Sequence, residues 1–295
     1  MVRFRKLGLL GLSIVILGTV VACGGSSSGS ATGPKSLISE IKTRGELRIG
    51  VASAQPWQMK DAKTGDWEGV YVDVMADWAK TMGVKFTPVA TTWDNMIAGL
   101  QAGQYDVASS LNARPKRSVV VSFSNPLNSD IGSFSVIPAK SNITTFAQLN
   151  VASSTACVQQ GAAEDLSLTN AKLALTILRL PDQDSCRLAV TSGRATAFFD
   201  DWNGNGPFAA ANDGVKLIFP SSAFVNEGIG YAINFGYSYE DISAINNQLL
   251  YFSASGLLTQ SLQKWGAVDP VKFAAVPGDV PTYVKAIEAA QYPGG

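Results

Sequence analysis

Arg117 ends a short polar segment that includes Ser109, Ser110 and Asn112 and follows an apolar run read as a strand over residues 105–109. A guanidinium is a planar fork of donors that matches a carboxylate two to two. Hydroxyl, amide and backbone donors beside it would complete a cradle for one anion. An arginine at a strand mouth is therefore either that cradle or a solvated turn residue. The chain has no histidine, which excludes a histidine-based triad or zinc site.

The elements that must position such a cradle are legible as an alternation. Strand-like apolar runs at 47–51, 85–89, 156–159, Thr176–Leu180 and 195–200 are interleaved with helical periodicity over Val70–Met82, 93–102, 162–168 and 185–192. That order predicts an α/β fold of three layers with largely parallel sheets. In the first of these helices Val70, Val74 and Trp78 share a side, and Asp94 is placed to satisfy free amides at the start of the second. Trp78 and Trp265 are expected to pack rather than to contact a ligand. Extended stretches at 132–137 and 228–233 interrupt the alternation, and two such crossings suit a hinge. An amphipathic helix is expected over 239–253.

The chain ends read differently. Arg3, Arg5 and Lys6 precede an uncharged apolar stretch at 7–21, the pattern of an export signal and too short and glycine-broken for a membrane span. Val20-Val21-Ala22-Cys23-Gly24-Gly25 looks like a lipobox, in which Cys23 becomes the lipid-attachment residue and anchors the chain to a membrane; the alternative is a chance cysteine beside an ordinary cleavage site. The Gly/Ser-rich run that follows is a flexible tether. Residues 1–22 are thus expected to be a lipoprotein signal peptide and 23–36 the tether, with 37–133 and 230–295 forming one lobe and 134–229 a second.

The chain carries 23 basic and 23 acidic residues, and loss of the three leader cations leaves 20 against 23. A net charge near −3 without a basic run argues against nucleic acid as a partner. A body of about 260 residues suits two lobes rather than one core, and a monomer is expected. Besides Cys23, the cysteines are Cys157 and Cys186. In an exported chain they are expected to form a disulfide, the alternative being two buried thiols.

The text from the first strand onward resembles family 3 of the bacterial extracellular solute-binding proteins, the receptors of polar amino acid importers. The resemblance is carried by Pro56 with Trp57, by GVYVD at 69–73, by Trp93, by the Leu-x-x-Gly-x-x-Asp run from Leu100 to Asp106, by Arg117, and by the closing GLLTQSLQKWG. It implies a two-lobed periplasmic binding protein fold of type II, each lobe a three-layer α/β/α sandwich, joined by a two-segment hinge. It also implies an amino acid ligand, the membrane subunits of an ATP-binding-cassette permease as partners, an extracytoplasmic location and no cofactor.

A free α-amino acid offers a carboxylate, an ammonium and a side chain. By the resemblance, Arg117 takes the carboxylate with Ser110 and Asn112 adding donors, and the acid that meets the ammonium falls on Asp201. Asp200 is its neighbour, and strand alternation allows only one of the two to face the cleft. Trp93 and Trp57, with Gln55, supply walls. Where the family carries Gly-Thr or Gly-Ser after the second lobe's first strand, this chain reads Gln159-Gln160-Gly161-Ala162-Ala163. Ala162 keeps a backbone N–H near a helix start but lacks the hydroxyl, and Gln160 is the candidate to compensate. The stretch from Asp184 to Arg187 resembles that of acidic amino acid binders, but an unspecified polar amino acid is the broader expectation. Two alternatives share the cradle: a receptor for an opine or another carboxylate, and a cyclohexadienyl dehydratase-like enzyme using Asp200, Asp201 or Glu164.

Overall fold

Strand and helix alternate into two sheets, each covered by apolar side chains on both faces. The computed structural model describes residues 35–220 and 226–266; residues 1–34, on which the expected signal peptide, Cys23 and most of the expected tether fall, and the segment after Gly266 lie outside the described residues. In the first sheet Lys85–Ala90, Glu46–Val51 and Val107–Asn112 run parallel in that order, and Asn226–Asn234 adds antiparallel to the last, with Val121–Phe123 beside it. The second sheet repeats the plan with Thr176–Leu180, Thr155–Gln159 and Ala197–Asp201 parallel, then Asn128–Val136 antiparallel and Lys216–Ile218 beside that. Asn128–Val136 and Asn226–Asn234 also pair with each other, from Asn226 opposite Ile131 to Ile229 opposite Asn128. The chain therefore passes between the sheets twice, through one antiparallel pair.

Burial on both faces explains why the central strands read as continuous apolar runs. In the first lobe Leu37, Ile41, Tyr71, Met75, Ile245 and Phe252 fill one side, and Met96, Leu100, Tyr105 and Leu111 the other. In the second lobe neighbours along a strand part company: Val158 and Phe199 join Phe134 and Leu168, whereas Cys157 and Phe198 join Cys186 and Val190.

Several residues that carried the resemblance turn out to be structural. Asp106 accepts from Arg48 Nη2 and the Arg48 amide, each at 2.8 Å, and from Arg44. Asp73 accepts from Ser261 Oγ at 2.6 Å and Trp265 Nε1 at 2.7 Å, which fastens the Val70–Met82 helix to the closing Leu257–Trp265 helix. Gly69, at φ +121°, is packed so closely that a Cβ would lie 2.5 Å from the Trp57 carbonyl oxygen. No L side chain fits there, and Trp57 is set by that contact.

Lys35 and Ser36 already bond to the described body. The Lys35 amide donates to Gly236 O at 3.2 Å, and Ser36 caps the Leu37–Arg44 helix. Buried Asp241 then accepts from the Leu37 and Ile38 amides at 2.9 and 3.1 Å while closing the capping box of Tyr239–Ala254 with Ser238. One carboxylate thus satisfies two helix starts. The second helix of the alternation begins at Met96 rather than 93, and Asp94 does not cap it.

Cys157 and Cys186 form a disulfide, with Cα atoms 5.5 Å apart across 29 residues. It ties the strand Thr155–Gln159 to the helix Gln183–Thr191 inside an apolar cluster. Closing a loop of that length removes denatured-state entropy worth about 3–4 kcal/mol. The double Cys157→Ser/Cys186→Ser variant is expected to lose about that much in a urea titration, and an unchanged midpoint would contradict it.

Candidate ligand-binding site

Strand ends from both lobes converge on one cleft that is open in part to solvent. From the first lobe it is lined by Ala54, Gln55, Trp57, Trp93, Ser110, Asn112 and Arg117. From the second come Gln159, Ala162, Ala163, Glu164, Gln183, Asp200 and Asp201, and Ile229 lies on the crossing strand.

Ser110 reaches the cleft through a backbone irregularity. The pairing of Val107–Asn112 with Asn226–Asn234 slips between Gly230 and Ala232, and Ser110 adopts φ 56°. Such a bulge re-aims a side chain out of strict alternation. Ser109 stays inside the lobe, donating to Gly50 O at 3.1 Å and bonded to Gln58. Arg117 sits on the single turn Pro115–Ser118 and is 9% exposed. Its guanidinium donates to two carbonyls only, Asn112 O at 3.3 Å and Gly161 O at 3.5 Å, and meets no carboxylate among the described residues. Burial, reinforced by the nearby charge of Arg114, disfavours its charged form.

Asp201 closes the strand Ala197–Asp201 and caps the helix Trp202–Ala211, accepting from the Asn203 amide at 3.2 Å. Its other oxygen accepts from Trp57 Nε1 at 2.8 Å, across the cleft. Burial pushes its carboxyl up to about 6, against the opposing pull of the Trp57 and Asn203 donors. Asp200 also lines the cleft and accepts from Gln183 Nε2 at 2.5 Å. Burial first, and the charge of Glu164 second, raise it well above the usual carboxylate range. Both acids face the cleft because the strand turns into a helix at Asp201, which ends the alternation that would have separated them.

Of the other residues nominated from the sequence, Trp93, Trp57, Asn112, Ser110 and Ala162 line the cleft. The Trp93 indole N–H is buried and meets no acceptor among the described residues. Gln160 does not line it. Its side chain points outward and donates to Asp94 Oδ2 at 2.9 Å, while Gln159, on the inward side of the same strand end, lines the cleft and donates to Ser53 O at 3.0 Å. The Ala162 amide is turned to Gln159 O at 3.3 Å. Gln183 was not foreseen; it follows the capping residue Asp182 at the start of its helix, and a buried glutamine at a helix start leaves no periodic trace.

The lobes meet around the cleft. The Gln55 amide donates to Gln183 Oε1 at 2.7 Å, and Arg187 donates to Gln55 Oε1. Arg114 reaches Ala163 O at 2.9 Å and Ser167 Oγ at 2.7 Å while paired with Glu227 at 2.6 Å, so it is bound rather than solvated. Gly161 is the tightest contact: at φ +75°, a Cβ there would lie 2.0 Å from Asp94 Oδ1 and 2.8 Å from the Asp94 amide nitrogen. Gly161→Ala is expected to hold the lobes apart, enlarging the radius of gyration in small-angle scattering, beyond the 1–2 kcal/mol or so that alanine pays for a left-handed backbone. A scattering curve superposable on the parent's would contradict this.

The model of the bacterial extracellular solute-binding proteins, family 3, matches residues 47–268. The chain belongs to that family. A probable amino-acid ABC transporter periplasmic-binding protein of Sinorhizobium fredii is 28% identical over 81% of this chain and 83% of its own. Among solved structures, an ancestral amino acid-binding protein described as a precursor of cyclohexadienyl dehydratase has a TM-score of 0.71 at 30% identity, covering 78% of this solute-binding protein and 99% of that one. A binding protein from Wolinella succinogenes complexed with lysine has a TM-score of 0.68 at 26% identity, over 75% and 96% of the two chains. The two-lobed fold of the family accounts for both sheets and for the paired crossing strands. No described helix is long and apolar enough to cross a membrane.

Proposed function

We propose that this chain is the extracytoplasmic receptor of an ATP-binding-cassette importer and captures a free polar amino acid between its lobes. One observation carries the reading: a guanidinium without a carboxylate partner among the described residues, Arg117, and a buried carboxylate from the other lobe, Asp201, line the same cleft. Arg117 receives the α-carboxylate with Ser110 and Asn112 beside it. Asp201, which still has lone pairs to spare after Trp57 and Asn203, receives the α-ammonium. Trp57 and Trp93 are the walls.

Closure follows from which lobe owns each group. A ligand that spans Arg117 and Asp201 makes both contacts only when the lobes meet, so it stabilises the closed form by its differential affinity for that state. The paired strands Asn128–Val136 and Asn226–Asn234 are the hinge. In this reading residues 37–133 with 230–295 form one lobe and residues 134–229 the other. The closed shape is what the permease's membrane subunits read, with the chain held at the membrane through Cys23 as a monomer.

A thermal-shift screen against the twenty amino acids and common opines tests the reading. Ligand at ~100 times its dissociation constant adds roughly 2.7 kcal/mol of stability. No shift across the set would overturn it. The dehydratase alternative keeps one supporting observation, the three buried carboxyl groups of Asp200, Asp201 and Glu164 in one cleft. It differs by turnover: a ring carboxylate would be consumed rather than retained.

A further inference from the structure

Among the carboxyl groups that line the cleft, Glu164 is the one whose side chain has no hydrogen bond or ion pair among the described residues, although it is only 6% exposed. Asp201 accepts from Trp57 and Asn203, and Asp200 accepts from Gln183, which is itself fixed to the Gln55 amide. The cations nearby form no ion pair with Glu164: the charge of Arg117, in the same cleft, is felt by it but lies beyond salt-bridge distance. Arg114 is spent on Glu227, Ala163 O and Ser167. Arg187 is turned to Asp184, Gln55 and Gly204 O, and neither arginine lines the cleft.

Three carboxyl groups and one guanidinium therefore face the ligand. The two charges of an α-amino acid's backbone are matched by Arg117 and Asp201, and Asp200 is closed on Gln183. Glu164 is left over with its carboxyl oxygens open to the cleft, where a cation on the ligand would supply the ion-pair partner that the protein does not. An acidic side chain would deepen the imbalance, and a neutral one would leave it.

We infer that Glu164 is the counter-charge for a second cation on the ligand, so that the site takes amino acids whose side chain ends in an ammonium or guanidinium. This rests on the receptor reading above. Glu164 stands in the first turn of the Ala163–Ala171 helix, whose N-cap Ala162 brings no side-chain acceptor, and the nearby Gly161 amide donates to Asp165 instead, so the Glu164 carboxyl is not used on the helix start. Trp57 and Trp93 add faces on which a cationic chain can lie.

Isothermal titration of the full chain with L-arginine, L-lysine, L-citrulline, L-glutamine and L-glutamate separates the outcomes, because citrulline copies arginine's shape without its charge. The expected result is arginine or lysine bound at least about tenfold tighter than citrulline and glutamine, with glutamate weakest. Glu164→Gln should then bring arginine and citrulline to within about threefold of each other while leaving citrulline itself little changed, and Glu164→Asp should restore the preference. Melting temperatures of both variants report whether they fold. Preference for glutamine or glutamate in the parent, or an arginine-to-citrulline ratio untouched by Glu164→Gln in a folded variant, would overturn the inference and leave the receptor standing. Binding of none of the five, nor of any amino acid in the wider screen, would overturn both.

Discussion

Arg117→Ala is expected to abolish amino acid binding while leaving the ligand-free protein about as stable as before. The binding loss follows from removing one member of a buried, charge-assisted pair and stranding the ligand's carboxylate, which costs about 2–5 kcal/mol, or about thirtyfold to several-thousandfold in affinity. The unchanged stability follows from how Arg117 is held. Its only donations among the described residues are long ones to Asn112 O and Gly161 O, at 3.3 and 3.5 Å, and burial works against its charge. Removing it relieves desolvation and forfeits little bonding. A ligand titration beside a denaturant melt checks both halves. Retained affinity, or a loss of binding that comes with a loss of several kcal/mol in stability, would contradict the role given to Arg117.

The second large effect is on pH. Burial lifts the Asp201 carboxyl to about 6 in the ligand-free protein. Its pKa is raised above the unfolded value of 3.8, so its contribution to stability is complete below that value and is lost as pH rises through about 6. Binding runs the other way. An ammonium needs the ionised carboxylate and holds it ionised, so affinity should be full above about 6 and fall by about tenfold per pH unit below it. Asp201→Asn should bind weakly at pH 8 and lose most of the slope. An affinity flat between pH 5 and 8 in the parent would rule out Asp201 as the ammonium's partner.

How much of this was legible in the sequence depends on whether a residue answers to its own element or to the opposite lobe. The helix Val70–Met82 and the strand Thr176–Leu180 are recovered to the residue, the first because its apolar stripe is regular and Gly83 ends it in a left-handed turn. The start of Met96–Gln101 is not, because Asp94 accepts from Gln160 of the other lobe and packs against Gly161 rather than capping its own helix amides. The helix Trp202–Ala211 contains Gly204, Gly206 and Pro207, all poor helix formers, and tertiary packing overrides propensity there. It is also what ends the alternation at Asp201 and brings Asp200 into the cleft.

Within the site, Arg117 and Asp201 could be nominated because their motifs are local. The exchange of Gln160 for Gln159 could not, since at the end of a strand one residue's shift in where pairing stops reverses which side chain looks inward. The bulge at Ser110 leaves no trace either; it is defined by pairing with a strand more than a hundred residues away. Glu164 was visible in the sequence as an acid that ring chemistry could use, not as a ligand contact. Its want of a partner is a property of the folded cleft.

The most direct test of the central claim is a crystal structure of the chain with the amino acid that the screen selects. The account predicts the ligand between the lobes, its carboxylate on the Arg117 guanidinium and its ammonium on Asp201. A ligand outside the cleft, or one whose carboxylate lies away from Arg117, would contradict it.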